Sequence, residues 1–222
     1  MTPGDPIDAV VFDLDGVIAD TEHVWDEVRE QLVADRGGRY DASAQRGMMG
    51  MSSPEWSRYM HDVLGVPGSP EEINAEVVRR MLRRYESDLP LVPGAVEAVT
   101  ALAGDGVVLA VASSSNRPLI DTVLRATGLA SLFATTVSSE EVARGKPAPD
   151  VYLEAARRLD VPPARCAAVE DSANGIRAAH AAGMRVLAYP NRHYPPGDDA
   201  LALADVVLGS LAELPGALAP GN

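Results

Sequence analysis

The stretch VVFDLDGVIADTE, residues 10–22, carries an apolar run into two aspartates two positions apart, Asp13 and Asp15. An apolar segment of that length ahead of polar residues reads as a strand buried on both faces. Side chains two apart on a strand share a face, so both carboxylates would flank one point in space. Their charges repel there unless a cation or a proton intervenes. Comparable segments recur at residues 106–115 (GVVLAVASSS), 133–139, 165–171, 184–190 and 204–210. Between them lie helix-length stretches at 117–128, 148–160 and 172–183, two of them closed by Gly128 and Gly183. This alternation predicts an α/β fold, a Rossmann-like parallel sheet in a three-layer α/β/α core.

One region breaks the alternation. Residues 22–90 contain no convincing strand. Val24, Val28 and Leu32, with Trp25 beside them, share one helical face; Ile73, Val77, Met81 and Tyr85 recur at four-residue spacing. Pro90, Pro93 and Gly94 punctuate the return. The expected organisation is an α/β core of residues 1–21 and 91–222 with an inserted α-helical cap over 22–90, hinged at 19–21 and 89–94. Within the insert, Arg79, Arg80, Arg83 and Arg84 are expected on a solvated helix face. Met48, Met49 and Met51 are expected to fill the small core of the cap.

The chain has 222 residues, a net charge of −13, 46% hydrophobic and 5% aromatic residues. That size suits one core domain with an appendage. The negative charge argues against nucleic acid or an anionic membrane surface as partner. The single Cys166 cannot form an internal disulfide and, within an apolar run, reads as a small buried residue. The first residues carry no basic, signal-like pattern and no stretch approaches membrane-spanning length. A cytoplasmic protein, monomeric or weakly dimeric, is expected.

In open parallel sheets, ligands gather beyond the carboxyl ends of the strands. Those ends carry Asp13 and Asp15; Ser113, Ser114 and Ser115; Glu170 and Asp171; and, in the loop after the third strand, Lys146. Four carboxylates without His or Cys form an all-oxygen donor set that suits a hard divalent cation, Mg²⁺ above all. Mg²⁺ with one or two carboxylates points to phosphoryl transfer, and a carboxylate can attack phosphorus covalently. Lys146 would balance charge, while the Ser113 hydroxyl and backbone N–H groups near Leu14 and Ser114 would hold phosphoryl oxygens. Ser114 and Asn116, at the same strand end, join Ser113 and Lys146 as expected substrate-binding residues.

The segments FDLDGVIADTE (12–22), VASSS (111–115), GKPAPD (145–150) and VEDSANGIRAA (169–179), in that order, resemble the haloacid dehalogenase superfamily. The resemblance is to its β-phosphoglucomutase and phosphoglycolate-phosphatase-like branch. It implies a phosphatase for a small phosphorylated metabolite, a sugar or polyol phosphate, working through an aspartyl-phosphate with Mg²⁺. It implies Asp13 as nucleophile and metal ligand, and Asp15 as general acid–base with its backbone carbonyl on the metal. Ser113 would bind the phosphoryl group and Lys146 would neutralise charge. Glu170 and Asp171 would hold the metal, Asp171 directly and Glu170 through water. The related mutases carry a His where this chain has Trp25, and a cap-loop Arg where it has Ser53; His23 lies about 200° round the helix from the first position. Both departures favour phosphatase over mutase. A silent phosphosugar-binding module is the non-enzyme alternative, and signalling receiver domains, shorter and without a cap, fit less well. His61 and His180 lack metal-ligand spacing and are expected at the surface or in helix packing; His193, in the loop after the fifth strand and within reach of the site rim, is expected to be solvated.

Overall fold

The computed structural model describes residues 6–48 and 51–219. Six parallel strands form one sheet in the order β3-β2-β1-β4-β5-β6: β1 (Ala9–Phe12), β2 (Val108–Ser113), β3 (Thr135–Ser138), β4 (Cys166–Glu170), β5 (Arg185–Ala188) and β6 (Val206–Val207). The strand β1 is central, with Phe12 level with Val111 on one side and Val169 on the other. Val10 and Phe12 face one hydrophobic layer and Ala9 and Val11 the other. All four are essentially buried, which explains why an unbroken apolar run replaces polar–apolar alternation.

The strands are shorter than expected from sequence. β1 ends at Phe12, just short of the expected end near Asp13, so Asp13 and Asp15 lie in the turn beyond it. Their convergence therefore does not come from the two-residue pleat. It comes from a turn anchored by Asp13 N–H donating to the Val169 carbonyl and by a bridge between Asp15 and Ala19. Gly16 makes this turn possible: it has φ +82°, and a Cβ there would fall 1.8 Å from Asp171 Oδ2.

Among the described residues the insert between β1 and the return to the sheet carries α1 (Glu22–Asp35), α2 (Ala42–Met48), α3 (Ser53–Asp62) and α4 (Pro70–Ser87). Two of these, α2 and α3, have no counterpart in the sequence reading. Pro54, together with Ser52 and Glu55 in a capping box, starts α3 at a point where apolar spacing gave no signal. α1 and α4 bury the expected faces, Val24, Trp25, Val28 and Leu32 against Ile73, Val77, Met81 and Tyr85. The chain leaves and re-enters the sheet side by side. Val92 N–H donates to the Ile18 carbonyl at 3.0 Å and Asp20 N–H to the Pro90 carbonyl at 2.9 Å. The sheet is covered by α5 (Ala95–Gly104), also unforeseen, then α6 (Arg117–Ala126), α7 (Asp150–Leu159), α8 (Ala173–Ala181) and the short α9 (Asp198–Leu201) and α10 (Leu214–Leu218). Among the described residues no helix is long and apolar enough to cross a membrane. Cys166 is buried and unpaired with another cysteine.

β1 connects to one half of the sheet and β4 to the other, so the crevice between their carboxyl ends is the topological switch point. Asp13 follows the first of these strands and Glu170 ends the second.

Candidate active site

At the switch point, Lys146 Nζ lies 2.9 Å from Asp13 Oδ1 and 2.5 Å from Glu170 Oε1. The loop after β3 delivers this lysine, which is almost fully buried and has the Tyr152 ring 5.1 Å away. Burial by itself would lower the Lys146 pKa, but Asp13 and Glu170 outweigh it and the ammonium is held charged. Glu170 has no free valence. Oε1 accepts from Lys146 and from Tyr152 OH at 2.7 Å, and Oε2 from the Asp171 and Ser172 N–H groups and the Ser172 hydroxyl. Gly175 on α8 allows this, since a Cβ there would collide with the Glu170 carboxylate at 1.8 Å.

Asp171 is different. Oδ2 accepts from Asn191 Nδ2 at 2.7 Å, while Oδ1 is buried and has no hydrogen-bond partner. Asp13, Glu170 and Asp171 can each bring one oxygen to within 4.8 Å of the others. Burial, opposed by Lys146 and reinforced by Glu170 and Asp15, pushes the Asp13 carboxyl up to about 8. Burial and Glu170 likewise push Asp171 well above the ordinary carboxylate range. A buried acid cluster that resists ionising, with an orphaned carboxylate oxygen and only oxygen donors, fits a hard divalent cation. The saturated Glu170 is the member least free to touch such an ion.

Asp15 faces the inserted helices. Its Oδ1 accepts from Thr21 Oγ1 at 2.5 Å and Trp25 Nε1 at 3.1 Å, and its Oδ2 from Ser115 Oγ at 2.5 Å. Asp13, Asp15, Ser114, Ser115, Lys146 and Ser172 line one cavity from the sheet side. Ser113 is outside that lining: it is buried at the end of β2, and its hydroxyl accepts the Ser115 N–H at 3.0 Å. Ser114 Oγ, by contrast, is buried without a partner. Asn116 also stands apart from the cavity. Its Oδ1 accepts from Ser53 Oγ at 2.8 Å, and its Nδ2 donates to Glu140 at 2.7 Å and Asn74 at 3.2 Å, tying α3 and α4 to the core.

The opposite wall comes from the insert: Glu22, Trp25, Arg29, Met51 and Trp56. Met51 is thus a wall of the cavity and Met48 a core residue, while Met49 lies outside the described residues. Arg29 packs its guanidinium 4.7 Å from the Trp25 ring and 5.0 Å from the Trp56 ring, and its Nε has no partner. Burial lowers the Arg29 pKa against the pull of Glu22, and burial with Asp15 nearby raises Glu22 to about 7. Neither residue was expected from sequence. The available signal was spacing: Glu22 and Arg29 stand three before and four after Trp25, on one face of α1. The arginines of α4 stay outside, Arg79 and Arg80 on Glu76 and Arg84 on Glu27. His61 and His180 stand apart from the cavity, and His193 sits beside His23 at the hinge.

Known proteins resemble the chain in sequence and in fold. Hexitol phosphatase B of Escherichia coli is 35% identical over 211 residues, 93% of each chain. The structure of CbbY from Rhodobacter sphaeroides in complex with xylulose-(1,5)bisphosphate superposes with a TM-score of 0.82 at 31% identity, covering 94% of this chain and 96% of that one. A putative β-phosphoglucomutase from Thermotoga maritima gives a TM-score of 0.73 at 29% identity, over 96% and 98% of the two chains. The family model that matches residues 7–183 takes in the turn after β1, the insert, Lys146 and the end of β4, and by that match the chain belongs to the haloacid dehalogenase-like hydrolases.

Proposed function

We propose that the protein is a Mg²⁺-dependent phosphatase acting on a sugar or polyol phosphate, with residues 22–90 serving as a cap over the site. The observation that carries this reading is Lys146 seated between Asp13 and Glu170, beside an Asp171 oxygen that lacks any partner. Asp13 and Asp171 would hold the cation directly, with the Asp15 carbonyl as a further ligand and Glu170 acting from behind. When bound, Mg²⁺ supplies charge that lets the acid cluster ionise and accept a phosphate.

Asp13 then attacks phosphorus. One Asp13 O–P bond forms, the bond to the substrate's ester oxygen breaks, and Asp15 gives that oxygen a proton. In the second half, Asp15 takes a proton from water as the water oxygen bonds phosphorus and the Asp13 O–P bond breaks. Lys146 neutralises charge throughout, and the unpartnered Ser114 hydroxyl, with backbone N–H groups of the same loop, receives phosphoryl oxygens. Ser113 supports this loop through its bond to Ser115 and is assigned a positioning role, not direct contact. Glu22 and Arg29 offer an acceptor and a donor to substrate hydroxyls on the cap side. The names of hexitol phosphatase B and of the sugar bisphosphate in the CbbY structure support the same substrate class. The protein is proposed to be cytoplasmic and monomeric or weakly dimeric.

The mutase reading keeps one supporting observation. Trp25 and Ser53 are engaged with Asp15 and Asn116, yet Arg29 brings a cap cation to the cavity. The test is phosphate release from a panel of phosphorylated sugars and polyols with Mg²⁺, alongside isomerisation of β-glucose 1-phosphate primed by a bisphosphate. Hydrolysis abolished by Asp13→Asn, a loss of about a thousandfold or more, is expected; efficient isomerisation without hydrolysis would replace the phosphatase by the mutase.

A further inference from the structure

A second group of potential ligands lies at the hinge, away from the acidic centre. Asp20, His23 and His193 each bring one ligand atom to within 4.8 Å of the others. His193 Nε2 is 4.0 Å from Asp20 Oδ1, and the two imidazole rings stand 5.7 Å apart. His23 Nδ1 is buried and has no hydrogen-bond partner, although a ring nitrogen in that position ordinarily finds one. Three parts of the chain supply the three residues: the segment just before α1 gives Asp20, the first turn of α1 gives His23, and the loop after β5 gives His193.

We propose that these residues form a site for a borderline divalent cation of the Zn²⁺ class, one that pins the cap to the core. Two imidazoles and a carboxylate leave a fourth position for water and are the wrong donors for Mg²⁺. The acidic centre, made of oxygens alone, has the reverse preference, so the two sites sort two metals. Zinc–ligand distances near 2 Å require the three atoms to draw together from their present spacing. His193 is half exposed on a loop and can make that movement. The contraction pulls α1 toward the core at the point where the cap begins. The same loop already reaches the cap once more, through Gln45 donating to Tyr194 OH. Substrate must pass between cap and core, so an ion that holds them together slows turnover.

The experiment is calorimetric titration of ZnCl₂ into protein saturated with Mg²⁺, repeated with Co²⁺ to read the absorption of a tetrahedral nitrogen and oxygen site. One equivalent is expected to bind. His193→Ala and His23→Ala should each weaken binding by at least about tenfold, while Asp171→Asn and the distant His61→Ala leave it unchanged. Zinc should slow turnover of the native protein, and His193→Ala should escape that inhibition. Undiminished binding by His193→Ala, or loss of binding in Asp171→Asn, overturns the proposal. Both readouts of binding are independent of which phosphate ester the enzyme prefers.

Discussion

At the scale of single residues, Lys146 decides whether the site can exist. It is the only cation touching Asp13 and Glu170 among the contacts described, and all three are buried. Removing one partner of a buried ion pair costs about 3–5 kcal/mol, because the remaining charges are left without compensation. For Lys146→Met this predicts a fall in melting temperature on the order of 10 °C for a chain of this size, measured by calorimetry in metal-free buffer. Added Mg²⁺ should recover part of the loss by taking over the neutralising role, but not the activity. The convergence of Asp13, Lys146 and Asp171 was legible in sequence because each sits at or just beyond a strand end, where topology alone brings residues together. The surroundings of Ser113 and Asn116 were not legible, for a complementary reason. Strand ends give position without side-chain direction, and the hydrogen bonds that turn Ser113 to Ser115 and Asn116 to Ser53, Asn74 and Glu140 span distant parts of the chain. Glu22 and Arg29 escaped because nothing in a helix pattern distinguishes a face that meets a cavity from one that meets solvent.

At the scale of elements, Asn116 gathers several of the polar contacts that fasten the proposed cap to the core among the described residues. It caps the start of α6 by position while its amide spans α3, α4 and the turn after β3. Replacing it with Ala strands the buried Ser53 hydroxyl, whereas the exposed Glu140 loses one donor and keeps the Arg117 N–H. Unsatisfied groups of this kind cost about 1–3 kcal/mol. That loss falls on the cap–core contact rather than on either hydrophobic layer. Asn116→Ala should therefore expose the hinge at 89–94 to limited proteolysis severalfold faster, with a smaller change in global unfolding by denaturant. Equal sensitivity of both measurements would mean that cap and core unfold as one unit. The sequence revealed α1 and α4 through their four-residue apolar spacing, and the strands through their unbroken apolar runs. It hid α2 and α3, which are short and begin at polar turns, and α5, whose Ala- and Val-rich run (AVEAVTALAG) has too little contrast between faces to show a period.

At the scale of the whole molecule, the net charge of −13 and the buried acid cluster work in the same direction. Asp13 rises from an ordinary 3.8 to about 8 and Glu22 from 4.5 to about 7, in each case with burial as the largest cause. A carboxyl whose folded pKa is raised keeps its proton in the native state over a range where the unfolded chain has released it. Its contribution to stability is present in full below the unfolded value and is lost as pH rises through the folded one. Each such proton is worth about 1.4 kcal/mol per pH unit. Glu141 and Glu154 are depressed to about 2, Glu141 by the Ser138 N–H, Arg158 and Arg117 against a burial that alone would raise it, and Glu154 by its hydrogen bonds to Arg157 and Arg158; both act only at the acid end, below 4.5. Between pH 5 and pH 8 the interior acids therefore set the slope, and the metal-free protein should melt progressively lower as pH rises. A divalent cation binds only the ionised cluster, so its affinity grows over the same interval and offsets the loss. The measurement is a matrix of melting temperatures over pH 5–8 with chelator and with Mg²⁺. A falling curve with chelator and a flat or rising one with Mg²⁺ are expected. Parallel curves would mean that the cation does not engage Asp13 and its neighbours at all, and would remove the physical basis for treating their mutual repulsion as the source of metal binding.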